Sequence, residues 1–381
     1  MADVSGLKIL QVIGPSKFGG GTRHVLVLAE ALRQRGASVE VLATDPETVG
    51  FFERRGFSTR SPELVPSRAS PWGMARSAVH LRRYFRDHRY DVVHSHTSIT
   101  GAVVRAAGVP RDTVLVHTVH GFAAGMKTGP LGWLVAAGET VLSFRADLTI
   151  SVGEREMGSL RFARRVVSIP NGVDPVALGS REISGCSDRI AFVGRLAHQK
   201  GVDRLLEALA TPRLADVSLT VVGDGPSYRQ LQAAAETLGL GRRVEWLGHK
   251  EDCWSAIDEV DVVVVPSRWE GHSLAVLEAM ARGHVLVAAN VPGIRESVEG
   301  CGITHAPDAT SDELADAVAL ACRLPLAERR QLRSRARERV EREYSISLMS
   351  ERYVHGLDSA VSLRRDTTAK RASRFIGKRR S

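Results

Sequence analysis

In PSRWEGHSLAVLEAMARG (266–283) two carboxylates stand eight residues apart, Glu270 in a polar turn and Glu278 inside an apolar helix. A buried carboxylate without a partner costs several kcal/mol, so Glu278 needs one. An ionised carboxylate can accept hydrogen bonds from two hydroxyls, which suits sugar and ribose hydroxyl groups. Ser273 is a good N-cap for the helix that Gly283 ends. The N–H groups of His272, Ser273 and Leu274, with the positive end of the helix dipole, would then face an anion. An exposed helix position is the alternative for Glu278, and the apolar residues on every side of it weigh against that.

Positive charge comes from RIAFVGRLAHQKG (189–201), where a strand ends at Gly194 and the chain turns through Arg195 to Lys200. Arg195 would grip a diphosphate with a planar fork and Lys200 as a point charge. Alone this is a weak signal, because surface Arg and Lys usually do nothing. In VVGDGP (221–226) Gly223 and Gly225 permit close backbone approach. In RVEWLGHK (243–250) the backbone at Leu247 and Gly248 could meet a nucleobase edge.

The first half carries GPSKFGGGTRHV (14–25), with Gly20 and Gly21 between a strand and a helix. This is not a spaced GxGxxG, so NAD is not expected, yet such a turn offers N–H groups to phosphate. Arg23 and His24 could assist, or could face solvent. His94 and His96 end DVVHSH (91–96) on one strand face, and His117 and His120 lie on VHTVHG (116–121). No carboxylate or cysteine completes a metal set with them, and there is no DxD clamp, so no metal is expected.

The elements that must position these residues alternate short β-branched runs with longer amphipathic ones, the pattern of parallel sheets covered by helices. The pattern runs to about residue 170, loosens through Asn171–Ser187 as a linker, and restarts. The expected fold class is α/β, two doubly wound Rossmann-like domains facing across a cleft, with ligand at the carboxyl ends of the strands. The expected boundaries are 1–180 and 181–344, then a helix over 345–363 packing back on the first domain. LAERRQLRSRARERVEREYS (326–345) reads as a charged, exposed helix, and 364–381 as a basic disordered tail.

The chain has 381 residues and a net charge of +9, enough for two or three cores and suited to an anionic partner. Four scattered cysteines favour a reducing cytosol, and no apolar run approaches the ~20 residues that span a bilayer. A cytoplasmic protein is expected. Its tail either solubilises the chain or attaches it peripherally to anionic lipid.

Arg195 with Lys200, GDGP (223–226), WLGH (246–249) and the pair Glu270 and Glu278 occur in an order and spacing that resembles glycosyltransferase family 4. That resemblance covers almost the whole chain and implies the GT-B fold and retaining transfer from a nucleotide-sugar, a UDP-sugar for preference. It implies that Arg195 and Lys200 hold the donor diphosphate. Glu270 and the backbone of Gly271–Leu274 would hold sugar and phosphate, and Glu278 the ribose. The donor site would also include Gly20, Gly21, Gly194, Gly223, Gly225, Leu247 and Gly248. His120 resembles the family's active-site histidine. His120-Gly121-Phe122, Trp133 and Glu139 resemble the subgroup that extends lipid-linked exopolysaccharide or capsule glycans. His96, Phe122 and Trp133, with Met126, Lys127 and Leu131, would face a glycan or polyprenyl-linked acceptor; helix-core packing is the alternative for the apolar ones. No cofactor is implied, since the nucleotide-sugar is a substrate. A nucleotide-sugar 2-epimerase of the same fold is the main rival. A nucleic-acid partner is disfavoured because no aromatic–basic stacking pattern is present.

Overall fold

The computed structural model describes residues 2–14, 19–43, 45–60, 71–121, 140–153, 160–179 and 188–377, the side chains of 71, 369 and 371–377 excepted. Phe122, Met126, Lys127, Leu131, Trp133 and Glu139 therefore lie outside the described residues. The chain divides into two units, Met1–Pro170 with Ser347–Ser381, and Asn171–Ile346.

In the first unit the strands are β1 (Lys8–Ile13), β2 (Ser38–Ala43), β3 (Ser58–Arg60), β4 (Val92–His96), β5 (Val114–Val119), β6 (Leu148–Ser151) and β7 (Val166–Ser168). They form one parallel sheet in the order β3-β2-β1-β4-β5-β6-β7. Alternation along the strands fixes its two faces. Ile9 and Ile13 pack with Val25 and Leu28 of the helix Gly20–Gln34 and with Tyr353 and Leu357 of the last helix. Leu10, Val12 and Val93 face Leu81 and Phe85 of the helix Pro71–Asp87 and Val103 of the helix Ser98–Ala107.

The second unit holds β8 (Arg189–Val193), β9 (Ser218–Val222), β10 (Val244–Gly248), β11 (Val262–Val265), β12 (Val285–Ala289) and β13 (Ile303–His305). They too are all parallel, in the order β10-β9-β8-β11-β12-β13. Strand order therefore reverses between β1 and β4 in one unit and between β8 and β11 in the other. In such sheets ligands bind outside the carboxyl ends of the strands at that reversal.

Three sequence expectations are corrected. Asn171–Gly179 is part of the second unit rather than a linker. Asn171 and Val173 are buried, Val173 bridges to Ser345, and Asp174 caps the helix Pro175–Leu178. A Cβ on Gly172 would lie 2.7 Å from the Ser345 carbonyl oxygen, so the two ends of this unit touch.

The helix Leu326–Glu343 is not exposed all round. Arg329, Ala336 and Val340 are buried, and the Arg329 guanidinium bonds Asp261 Oδ2 at 3.1 Å and the Leu324 carbonyl at 3.0 Å. Finally, the last helix runs from Ile346 to Gly377, through the stretch expected to be disordered from residue 364. Leu357, Ala360 and Val361 put its apolar stripe on the first unit, and Arg364, one turn on, bonds the Thr113 carbonyl at 3.1 Å and pairs with Asp147 at 3.2 Å. Among the described residues no helix is long and apolar enough to cross a membrane.

Candidate active site

Both loops that flank the β8–β11 reversal carry predicted site residues. The loop after β8 holds Gly194, Arg195 and Lys200, and the loop after β11 holds Glu270–Ser273. Lys200 Nζ lies 2.5 Å from Glu270 Oε1, and that same oxygen accepts from Ser267 Oγ at 2.8 Å. The pair is largely shielded, with side-chain exposures of 19% and 7%. Arg195 is exposed and its guanidinium makes no hydrogen bond or ion pair among the described residues, so its fork remains available.

A second lacing holds the two loops together, and the sequence reading did not anticipate it. Arg268 bonds both oxygens of Asp203 at 2.8 and 2.6 Å and the His198 carbonyl at 2.8 Å, while Gln199 Nε2 donates to the Trp269 carbonyl. Burial alone would raise the Asp203 carboxyl, but hydrogen bonding and charge from Arg268 win and hold it below its ordinary value. Gly201, at φ +69°, turns the β8 loop where a Cβ would strike the Pro266 carbonyl oxygen at 2.1 Å.

The glycines at the neighbouring strand ends work in the same way. Gly223, at φ +147°, would place a Cβ 1.9 Å from the Gly194 carbonyl oxygen, and Gly225 one 2.3 Å from that of Leu196. The close approach they permit is therefore of one loop to another. Gly194 N–H bonds Val222 O, and Gly223 N–H bonds Gly248 O, so Gly194, Gly223 and Gly248 lie side by side with half-buried Leu247.

Ser273 occupies the N-cap position of the helix Leu274–Arg282, but its side chain makes no capping bond. Its hydroxyl is buried and has no partner among the described residues. Of the three N–H groups expected to face an anion, that of Ser273 is taken by the Gly293 carbonyl at 3.3 Å. Those of His272 and Leu274 make no such bond among the described residues. Gly271 is buried against Gly293, where a Cβ would sit 2.1 Å from the Gly271 carbonyl oxygen.

Glu278 is buried at 5% exposure, and Trp254 Nε1 donates to its Oε2 at 2.9 Å. The protein thus supplies a partner for the carboxylate that the sequence reading left wholly to a ligand. Trp254, in EDCWSAIDE (251–259), is 24 residues away, too far for any local pattern to reveal.

His272 points inward. Its Nδ1 accepts from the Asn171 N–H at 3.1 Å, and Asn171 Nδ2 donates to the His272 carbonyl at 2.7 Å. Burial lowers its pKa from 6.5 to about 4. As pH falls through this window the unfolded chain takes up the proton first, so stability present above 6.5 drains away toward 4. Urea unfolding of the second unit should lose up to about 1.4 kcal/mol per pH unit from this residue. His272→Gln should flatten that slope; an unchanged slope would remove His272 from the account.

In the first unit Gly20 and Gly21 open the helix Gly20–Gln34 rather than a turn before it, behind an N-cap at Gly19. Arg23 is exposed, while His24, a turn in, is buried. On the sheet face below lie Gln11, His94, His96, Thr118 and His120. His96 Nε2 bonds Gln11 Oε1 at 2.7 Å, and His96 Nδ1 bonds His120 Nε2 at 3.0 Å. His96 is fully buried, so it stands behind His120 instead of facing an acceptor. Burial, then neighbouring imidazoles, hold His96 and His120 well below the ordinary histidine range. His117 lies on the opposite face, under Gly101, where a Cβ would meet its ring at 2.1 Å. Thr97, next to His96, has φ +65°, a strained conformation for a β-branched residue.

Known proteins share this architecture. Residues 18–176 match the family described as Glycosyltransferase Family 4, and residues 181–339 that described as Glycosyl transferases group 1. A D-inositol 3-phosphate glycosyltransferase of Mycobacterium sp. (strain KMS) is 31% identical, over 77% of this chain and 75% of that protein. An Escherichia coli UDP-Gal:alpha-D-GlcNAc-diphosphoundecaprenol alpha-1,3-galactosyltransferase is 31% identical over 57% of this chain and 62% of its own. Among solved structures, Anabaena HepE in complex with UDP and glucose superposes with a TM-score of 0.79 at 22% identity, covering 93% of this chain and 100% of the other. Sucrose-phosphate synthase from Thermosynechococcus elongatus gives 0.77 at 21%, covering 96% and 100%.

Proposed function

Because this chain belongs to glycosyltransferase family 4 and has the GT-B fold, we propose that it moves a hexose-type sugar from a nucleotide-sugar to a glycan or lipid-linked acceptor. A UDP-sugar is the favoured donor. The E. coli relative is named for UDP-Gal, and the HepE structure holds UDP and glucose. The observation that carries the reading is the start of the helix Leu274–Arg282. The Lys200–Glu270 pair, the unpartnered buried hydroxyl of Ser273 and the positive end of the helix dipole meet there.

The donor brings its own leaving group, so the main task is to stabilise charge that grows on the diphosphate. Lys200 has three N–H donors and spends one on Glu270, which leaves two for phosphate oxygens. Glu270 aims the ammonium, and the fork of Arg195 adds a second cation. Glu278, oriented by Trp254, accepts from ribose hydroxyls. His120, backed by His96, orients the sugar. No carboxylate is assigned as a covalent nucleophile, so retention would follow from front-face attack assisted by the departing phosphate. With two cations on the leaving group, transfer is proposed to need no metal. A lipid-linked acceptor would hold the enzyme at the inner face of a membrane, where each Lys or Arg of the run 364–381 near the surface would contribute ~1 kcal/mol on anionic lipid.

Glu278→Ala should weaken UDP-glucose binding about 10–100-fold in calorimetric titration, the loss of a charge-assisted contact. Trp254→Phe keeps the carboxylate and should weaken it less. Unchanged affinity in Glu278→Ala would count against the donor site. Isomerisation of the UDP-sugar with no acceptor present would favour the 2-epimerase instead.

A further inference from the structure

Three imidazoles from three elements converge in the first unit: His24 from the helix Gly20–Gln34, His96 from the end of β4, and His120 just beyond β5. One ring nitrogen of each lies within 4.8 Å of the other two. His24 is buried, although nothing local in the sequence shows that residue 24 turns inward to join His96 and His120. We propose that His24, His96 and His120 form a binding site for a divalent transition metal such as Zn²⁺, with one coordination position left open to water or another ligand.

Three neutral nitrogens with an open fourth position are a common arrangement for such ions. Zinc holds its nitrogens at ~2.0–2.1 Å, hence about 3.3 Å from one another. His96 Nδ1 and His120 Nε2 already stand 3.0 Å apart, so the remaining closure falls on His24.

The outer contacts favour the same reading. A metal-ligating imidazole characteristically gives its other ring nitrogen to an oxygen that fixes its tautomer and orientation. Gln11 Oε1 does this for His96, at 2.7 Å from Nε2. An amide oxygen only accepts, so His96 Nε2 carries the proton and Nδ1 presents its lone pair inward. Tyr353 OH lies 3.0 Å from His24 Nε2 and is itself tied to Thr118 Oγ1 at 3.2 Å. Gln11 Nε2, also buried, has no partner among the described residues, which leaves a donor beside the cluster for a metal-bound oxygen. The site needs neither the nucleotide-sugar reading nor a metal role in transfer.

The test uses the full untagged chain, stripped with a chelator and titrated with Co²⁺, whose visible absorption reports its coordination. One Co²⁺ per chain, displaced by Zn²⁺, is expected. Gln11→Leu leaves all three ligands in place and should weaken binding about 10–100-fold, as outer-contact changes do. His24→Ala should weaken it by at least as much, with circular dichroism reporting whether that variant folds. X-ray absorption of the zinc-loaded parent should give a shell of nitrogen and oxygen with imidazole scattering. Failure of the parent to bind, parent-like affinity in Gln11→Leu, or sulfur in the shell, as from Cys253, would overturn the site.

Discussion

Lys200→Met should lower turnover about 10²–10³-fold at saturating UDP-sugar, the scale seen when one preorganised donor to a developing anion is removed. The loss belongs mainly to the chemical step, because charge on the diphosphate grows as the sugar departs, and a group that meets it then acts on kcat. Part of the effect comes from Glu270. With its ammonium gone, that buried carboxylate keeps, among the described residues, the Ser267 hydroxyl alone, and leaving it underpaired costs on the order of 1–3 kcal/mol. A cycle of Lys200→Met, Glu270→Gln and the double variant separates the two terms. If Lys200 acts only by neutralising Glu270, the double variant recovers turnover. If it acts on the donor, the double variant stays slow. Parent-like turnover in Lys200→Met would remove Lys200 from the reaction.

The largest effect on stability is expected at Asp261, which precedes β11 and is 1% exposed, and at Arg329, which is fully buried. Asp261→Ala should cost the second unit about 3–5 kcal/mol in urea unfolding, because it strands a guanidinium that has no route to water. Arg329 has no slack elsewhere: Nε is committed to the Leu324 carbonyl and Nη2 to that of Cys322. Replacing both partners with apolar residues, Asp261→Leu with Arg329→Met, should recover most of that cost, since a buried pair often does little better than well-packed hydrocarbon. A near-silent Asp261→Ala would mean that water reaches the arginine.

Arg329 also marks where the sequence stops being legible. In LAERRQLRSRARERVERE nothing distinguishes it from its neighbours, and only the place of Asp261 in the fold turns it inward. The strands were readable because β-branched runs such as VVVV (262–265) and VVHSH (92–96) report burial directly. So were the loops of the proposed donor site, since Lys200, Glu270 and Ser273 sit at strand and helix ends that local chemistry announces. Their partners were not readable. Trp254 for Glu278, Asp203 for Arg268 and Asn171 for His272 are brought in by packing across 24, 65 and 101 residues. The glycines were half legible: the need for small residues at 223 and 225 was plain, but the neighbouring loop that requires them was not. The inward turn of His24 and the helical run past residue 364 follow from packing and anchoring contacts that no periodicity encodes.

The adjacent ends of the second unit bear on how the chain reaches this state. Val173 N–H bonds the Tyr344 carbonyl at 2.9 Å and Ile346 N–H bonds that of Val173 at 3.0 Å, so this insert closes on itself like a stapled loop. In the unfolded chain the last helix is separated from the sheet it completes by the whole of Asn171–Ile346. Once the insert closes, that separation shrinks to a few residues, an entropic saving of about 3–4 kcal/mol for docking Tyr353 and Leu357. Closure of the inserted unit thus lowers the entropic cost of completing the unit that surrounds it in sequence.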